Sequence, residues 1–200
     1  VLRWAEKSKA LDRAPHIWMP KTPEPADVHL SREEAGRLID AATCHHARLF
    51  IILALGTAGR RNALLDLTWD RVDFERGTID LYDPSQARTA KGRAAVPMNA
   101  MLRAALLEAK EGALTPYVIE WAGKRVGSIK RAFVATAKAA GLPQATPHVL
   151  RHSAAVLMAE AGHSMAEIAQ FLGHKDDRIT QRVYAKYSPQ HLRKLAASVN

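Results

Sequence analysis

The sequence predicts a mainly α-helical domain with a small antiparallel β-sheet, which is an α+β fold. Apolar residues recur at helical spacing through most of the chain, and two capping boxes, Ser31-x-x-Glu34 and Ser164-x-x-Glu167, mark helix starts. The period changes between residues 70 and 97. There, apolar residues flank Gly77 in a pattern that predicts strands joined by a turn.

The composition is that of a basic globular protein. The 200 residues are 48% hydrophobic and carry a formal net charge of +9, which favours a polyanionic partner, nucleic acid first. Cys44 is the only cysteine, so an intrachain disulfide is excluded and a reducing compartment, the cytoplasm, is expected. The longest apolar run, around residues 49–55, is too short to span a bilayer, and no membrane partner is expected.

The first 27 residues differ in character from the rest. Residues 1–10 are typical of the end of a helix, and four prolines between residues 11 and 27 predict an extended linker. Residues 28–200 are predicted to form one compact domain. Its helices are expected over residues 31–42, 47–57, 99–110, 128–140, 148–161, 165–172, 176–187 and 189–199. A short strand is expected at 117–119, and Met101 is predicted to face the core with Leu102 and Leu106.

The strongest chemical signal lies in residues 146–187. His148 and Arg151 are three apart on a predicted helix, so both side chains can reach one ligand. Arginine offers a planar fork of donors that matches phosphate oxygens, and a histidine beside it can move a proton near neutral pH. Tyr184 supplies an oxygen nucleophile. Together these groups suit metal-free chemistry on a phosphodiester.

The same residues carry a family resemblance. His148-x-x-Arg151, the Leu-Gly-His run that ends at His174, and Tyr184 ten residues later resemble the C-terminal signature of tyrosine recombinases, the phage integrase family. The resemblance covers residues 31–200 and implies the catalytic-domain fold of that family. Residues 1–27 would then be the end of a preceding helical DNA-binding domain plus its Pro-rich linker, and residues 28–200 the catalytic domain.

A second motif resembles the first arginine motif of the family, usually Thr-Gly-x-Arg with a tryptophan nine residues after the arginine. Here Thr57 begins the run, and counting back from Trp69 selects Arg60 as the phosphate-binding arginine, with Arg61 as the rival. The acid that often follows three residues later is replaced by Ala63. We consider Asp66 a possible substitute for it.

The resemblance also implies a general acid on a β-hairpin loop. Lys91 is the best candidate, although Ala90 stands where the family usually has that lysine. The implied reaction is attack by Tyr184 on a phosphate held by Arg60 and Arg151, giving a 3′-phosphotyrosyl link. His148 would accept the proton of the tyrosine or hold the phosphate. His174 would donate a hydrogen bond to the phosphate, and neither a metal nor a cofactor is expected.

Several alternatives stay open at this point. Tyr187 is a rival nucleophile, and His152 and His163 are interpreted as structural. The pair His148 and His152 has the spacing of zinc ligands, and Cys44 begins a Cys-His-His run, but both are weak signals. The helix pattern after residue 146 could also indicate a sequence-reading module. The alternative functions are a catalytically impaired DNA-binding relative and a metal-dependent hydrolase.

The implied partner is double-stranded DNA. The family resemblance predicts a monomer or weak oligomer in solution that forms a homotetramer on DNA. The last predicted helix, residues 189–199, has an apolar face that could fold back on its own domain; the resemblance implies that it docks on a neighbouring protomer instead. The protein would then act in a prokaryotic cell, in the nucleoid when it is bound to DNA.

Overall fold

The computed structural model describes residues 2–10, 12–13, 15, 18, 27–82, 95–174 and 176–188. Helices and strands lie within these ranges. The helices are α1 Leu2–Lys7, α2 Arg32–Asp40, α3 His45–Thr57, α4 Arg61–Leu65, α5 Ala100–Glu111, α6 Lys130–Ala139, α7 Pro147–Glu160, α8 Met165–Leu172 and α9 Arg178–Tyr184. The strands are β1 Val72–Asp73, β2 Thr78–Asp80, β3 Ala95–Pro97, β4 Glu120–Trp121 and β5 Lys124–Arg125. The predicted α+β class is confirmed.

Helix α3 is the centre of the main core. From Leu49 onward it is apolar on all sides, as a helix surrounded by others must be, and it packs against α2, α5, α6 and α7. Phe50 is fully buried and meets Phe133 of α6 edge to face, with ring centroids 6.2 Å apart. Burying a side chain of this size stabilises the fold by about 1.5–3 kcal/mol.

Side-chain caps set the start of the helices that matter for the site. Ser31 and Ser164 both form the predicted capping boxes. The Thr146 hydroxyl accepts from the Val149 backbone N–H at 3.1 Å, and Pro147 occupies the first turn of α7. The start of α7, and with it the direction of the side chains that follow, is therefore set locally.

A three-stranded antiparallel sheet of order β1-β2-β3 confirms the strands predicted between residues 70 and 97. Val72 lies opposite Ile79, and Ile79 opposite Val96, so one face of the sheet is buried. Gly77 makes the turn with φ of 66°, a conformation that glycine adopts without steric cost. Residues 83–94, between β2 and β3, lie outside the described ranges.

The strand predicted at residues 117–119 is wrong in position. Tyr117 forms only an isolated bridge with Thr68, because the backbone here pairs with residues 67–69. A two-stranded antiparallel hairpin, β4 and β5, follows a few residues later. Met101, predicted to face the core, is 61% exposed at the first turn of α5, whereas Leu102 and Leu106 are buried as predicted.

The second core cluster joins α7, α8 and α9. Ala155, Val156, Ile168 and Leu172 pack there around Tyr184, with Ala58 from the end of α3. Helix α9 ends at Tyr184 and continues as a 3₁₀ turn, Ala185–Tyr187. The predicted helix at residues 189–199 lies outside the described residues. Each helix within the described ranges is too short or too polar to cross a bilayer.

Candidate active site

Arg151 is held at the meeting point of three helices. Its side chain is buried, Nη1 donates to the Ala58 carbonyl at 2.6 Å, and Nη2 donates to the Leu172 carbonyl at 2.8 Å. Ala58 caps the C-terminus of α3 and Leu172 ends α8. Carbonyls at helix C-termini have no partner within their own helix, so they are available to fix the guanidinium plane.

The carbonyl of Ala58 is presented by an unusual backbone conformation. Ala58 has φ of 48° and ψ of 27°, in the left-handed region, which costs an L-residue about 1–2 kcal/mol. Thr57 pins the same loop, because its Oγ1 donates to the Leu53 carbonyl at 2.6 Å and accepts from the Gly59 N–H at 3.1 Å. The loop that leads to Arg60 is therefore held rigidly against α3.

Arg60, rather than Arg61, lies beside Arg151. The charge of Arg60 contributes to lowering the pKa of Arg151 and of His174, so these groups share one electrostatic environment. Arg61 is exposed, and its Nε donates to Asn62 Oδ1 at 3.1 Å. The carboxylate of Asp66, the possible substitute for the missing acid at residue 63, accepts a hydrogen bond from Arg125.

Burial and the charge of Arg60 both act against the positive charge of Arg151. Burial, followed by the charge of Arg60, lowers the pKa of Arg151 to about 10. That value leaves Arg151 cationic at neutral pH. Two cations held close together in a partly desolvated site favour an anion between them.

His174 extends the cluster. Its Nε2 lies 3.1 Å from Arg151 Nη2, and its Nδ1 lies 2.9 Å from Thr180 Oγ1. A guanidinium has only donors, so Nε2 accepts here and Nδ1 carries the proton that is donated to Thr180. Burial, together with the charges of Arg151 and Arg60, lowers the pKa of His174, which favours this neutral ring.

Tyr184 lies on the other side of the same cluster. Its side chain is buried at 7% exposure, and burial raises the pKa of its phenol while the charge of Arg151 acts in the opposite direction. The hydroxyl lies 3.3 Å from Nδ1 of His152. Tyr187, the predicted rival, is half-buried and donates its hydroxyl hydrogen to the Asp27 carboxylate.

The structure brings together four of the predicted site residues: Arg60, Arg151, His174 and Tyr184. His148 is exposed, one turn before Arg151 on α7. Lys91 lies outside the described residues.

The family model that describes the phage integrase family matches residues 29–191. The chain belongs to this family. It is 32% identical over 193 residues to tyrosine recombinase XerA of Thermococcus kodakarensis, covering 92% of this chain and 66% of that protein. The chain thus spans slightly less than two thirds of that relative.

Solved structures agree with the assignment to the phage integrase family. The crystal structure of XerA recombinase matches with a TM-score of 0.70 at 26% identity, covering 98% of this chain and 71% of that chain. The Tn1549 transposon integrase in complex with a circular intermediate DNA matches with a TM-score of 0.78 at 18% identity, covering 99% and 75%. At that identity the second likeness shows the fold alone.

Three residues outside the predicted site set contact this cluster. The sequence favours a structural role for His152, whereas in the structure its Nδ1 lies 3.3 Å from the Tyr184 hydroxyl. Asp27 was assigned to the linker, yet its carboxylate accepts from Lys186 and Tyr187 and lies 3.3 Å from His152. Thr180 is fully buried against His174. The position of His152 directly after Arg151 was an available signal, whereas no local pattern points to Asp27.

One group of side chains has the spacing of metal ligands. The nearest oxygen and nitrogen atoms of Asp27, His29 and His152 all lie within 4.8 Å of one another. However, the Lys186 ammonium already forms a salt bridge with the Asp27 carboxylate, and a metal ion would have to compete with that cation. We therefore assign no metal ligands here. The His148 and His152 pair, a weak alternative in the sequence, gains no support, because His148 is exposed while His152 lies against Asp27 and Tyr184.

Proposed function

We propose that this chain is the catalytic part of a site-specific DNA recombinase, or integrase, that cleaves and rejoins DNA strands through a 3′-phosphotyrosyl link. The observation that carries the proposal is the convergence of Arg60, Arg151, His174 and Tyr184 on one partly buried cluster. Two arginines supply the charge that a phosphate needs, and the tyrosine supplies the nucleophile. The names of the relatives, recombinases and integrases, favour an active enzyme over a catalytically impaired DNA-binding relative.

The two arginines would clamp the nonbridging oxygens of the scissile phosphate. Charge-assisted bonds from a guanidinium to phosphate are among the strongest hydrogen bonds in proteins. In the transition state the phosphate gains negative charge, so preorganised donors stabilise it more than the ground state. The two carbonyls that hold Arg151 supply that preorganisation.

We prefer Tyr184 to Tyr187 as the nucleophile because Tyr184 is buried near Arg151, whereas the Tyr187 hydroxyl is bound to the Asp27 carboxylate. The charge of Arg151 favours the phenolate that must form as the oxygen attacks. For Tyr187, burial raises the pKa of the phenol, the hydrogen bond and charge of Asp27 raise it further, and the charge of Lys186 acts in the opposite direction.

The remaining predicted residues complete the reaction. His148, exposed on the first turn of α7, would contact the phosphate from the solvent side. His174 would donate to a phosphate oxygen, which requires the proton on Nε2; the Thr180 hydroxyl can then donate to Nδ1, since it is both donor and acceptor. Lys91 would protonate the departing 5′ oxygen. None of these roles needs a metal ion, and a metal-dependent hydrolase is the competing function.

The substrate is double-stranded DNA, in the nucleoid of a prokaryotic cell. The net charge of +9 suits a polyanion. We further propose a monomer or weak oligomer in solution and a homotetramer on DNA. This assembly would bring two recombination sites together for strand exchange.

Covalent trapping on DNA tests this function. The chain is incubated in EDTA with a randomised pool of nicked duplexes, because the nick lets the cleaved fragment leave and traps the protein. We expect a denaturant-stable adduct with the phosphotyrosine at Tyr184. Tyr184→Phe should abolish the adduct and retain DNA binding. A phosphotyrosine at Tyr187 would move the nucleophile, wild-type binding without an adduct would favour the impaired relative, and cleavage only with a divalent ion would favour the hydrolase.

A matched pair of substitutions tests the clamp. Losing one preorganised donor to a developing oxyanion costs about 10²–10³ in rate, so Arg60→Ala should slow adduct formation at least that much. Arg61→Ala removes the neighbouring charge, which is exposed and bound to Asn62, and should stay near the wild-type rate. The reverse result would show that the arginine was assigned one residue too early.

A further inference from the structure

A chain of three side chains runs from the surface to the proposed nucleophile. His152 lies between Asp27 and Tyr184: its Nε2 is 3.3 Å from Asp27 Oδ1, and its Nδ1 is 3.3 Å from the Tyr184 hydroxyl. The His152 and Tyr184 rings also contact each other, with centroids 5.2 Å apart. Both hydrogen bonds are slightly long, as catalytic hydrogen bonds often are before substrate binds.

The charge state of Asp27 fixes which nitrogen of His152 carries the proton. Hydrogen bonds from Lys186 and Tyr187 hold the pKa of Asp27 well below its usual range, so this carboxylate only accepts. His152 must therefore donate Nε2–H to Asp27. In the neutral ring, the Nδ1 lone pair then faces the Tyr184 hydroxyl, which donates to it.

We propose that His152 is the proton acceptor for Tyr184 and that Asp27 is its positioning residue. This inference rests on the proposed cleavage activity and names the base that the activity requires. The arrangement follows the Asp-His-nucleophile logic of serine hydrolases, with a phenol in place of the serine hydroxyl. His148 is exposed, and among the described residues no hydrogen bond joins it to Tyr184.

The Tyr184 oxygen forms a bond to phosphorus while its proton moves to His152 Nδ1, and the bond from phosphorus to the 5′ oxygen breaks. The leaving oxygen takes its proton from a separate acid or from water. The imidazolium is stabilised by the Asp27 carboxylate. When a 5′-hydroxyl attacks the phosphotyrosine, His152 returns the proton to the departing phenol oxygen.

The surroundings of His152 suit this role. Burial lowers its pKa, while the hydrogen bond and charge of Asp27 raise it and the charges of His29 and His148 lower it. The His152 ring also contacts the rings of Tyr184 and Tyr187. The lowered pKa leaves the ring neutral, and so able to accept a proton, at neutral pH.

The test compares the rate of adduct formation across pH for the full chain and its variants. General-base catalysis is worth about 10²–10⁴ in rate, so His152→Ala should lose that much near neutral pH and should regain rate as the pH rises. A ring-fluorinated tyrosine at position 184, whose phenol ionises more easily, should partly restore the rate of His152→Ala. His29→Ala is the matched control, because within the described residues His29 contacts the His152 and Tyr187 rings but makes no hydrogen bond to Tyr184, and it should stay near the wild-type rate.

Asp27→Asn gives a second readout at an exposed position that is safer for folding. Without the carboxylate the imidazolium is less stabilised, so the plateau rate should fall and the acid limb of the profile should move to lower pH. A structural role alone would lower the plateau without moving the limb, and that result would overturn the inference.

Other outcomes separate this inference from the proposed function. An adduct in wild type with His152→Ala unimpaired, or with the loss appearing only in His148→Ala, would refute the inference and leave the recombinase function standing. The absence of any wild-type adduct would count against both. Zinc ions that bind wild type but not His152→Ala, and that are required for cleavage, would replace the proton relay by a metal site.

Discussion

Gly59→Ala is expected to destabilise the fold and to disable the site together. A Cβ added at Gly59 would lie 2.5 Å from Leu64 Cδ2 and 2.9 Å from Thr57 Oγ1. Neither neighbour can yield freely, because both are buried and Thr57 is bound to the Leu53 carbonyl. Overpacking of this kind costs about 1–3 kcal/mol, and each kcal/mol lowers Tm by about 2–4 °C in a chain of this length.

The same clash should displace Arg60, which directly follows Gly59. A misplacement of about 1 Å at a reacting centre can cost about 10²-fold in rate, so adduct formation should fall more than stability alone explains. Gly36→Ala is the matched control: an added Cβ meets nothing within 4 Å in the middle of α2, and alanine there should stabilise the helix by about 0.5–1 kcal/mol. Thermal unfolding measures the Tm of both variants, and the trapping assay measures their rates of adduct formation. A Gly59→Ala chain with wild-type Tm and adduct rate would refute the reasoning.

Two further predictions follow from buried hydrogen bonds. Thr180→Val removes the hydroxyl that orients His174, a bond worth about 0.5–1.5 kcal/mol, so adduct formation should slow by up to about tenfold, whereas Thr180→Ser should retain the rate. The buried Leu30 N–H donates to Ser153 Oγ at 2.7 Å. Ser153→Ala removes that acceptor, and urea unfolding should show that the free energy of unfolding falls by about 1–3 kcal/mol. An unchanged midpoint would mean that another acceptor replaces the hydroxyl.

The parts of the fold that follow from local chemistry could be predicted from the sequence. Ser31, Ser164 and Thr146 begin helices because their hydroxyls satisfy backbone N–H groups within three residues. The strand expected at residues 117–119 failed because its backbone partners are residues 67–69, a pairing between segments about fifty residues apart. Periodicity carries no information about such pairings.

The candidate site likewise has residues that local motifs predict and one residue that depends on a long-range contact. Arg60, Arg151, His174 and Tyr184 could be found from spacing and resemblance, since they lie in compact motifs. Asp27 could not, because it meets His152 across 125 residues of chain. Its position depends on the segment after the linker, which Ser153 ties to α7 through the Leu30 N–H.

The partners of Arg151 explain why this site suits a phosphate. A buried guanidinium is commonly compensated by a carboxylate, which would neutralise it and leave little attraction for a second anion. Within the described residues, Arg151 instead bonds to two carbonyls and a histidine ring. These neutral dipoles orient the cation without cancelling its charge. Arg151 therefore keeps a positive charge that a phosphodiester, and still more its transition state, would offset.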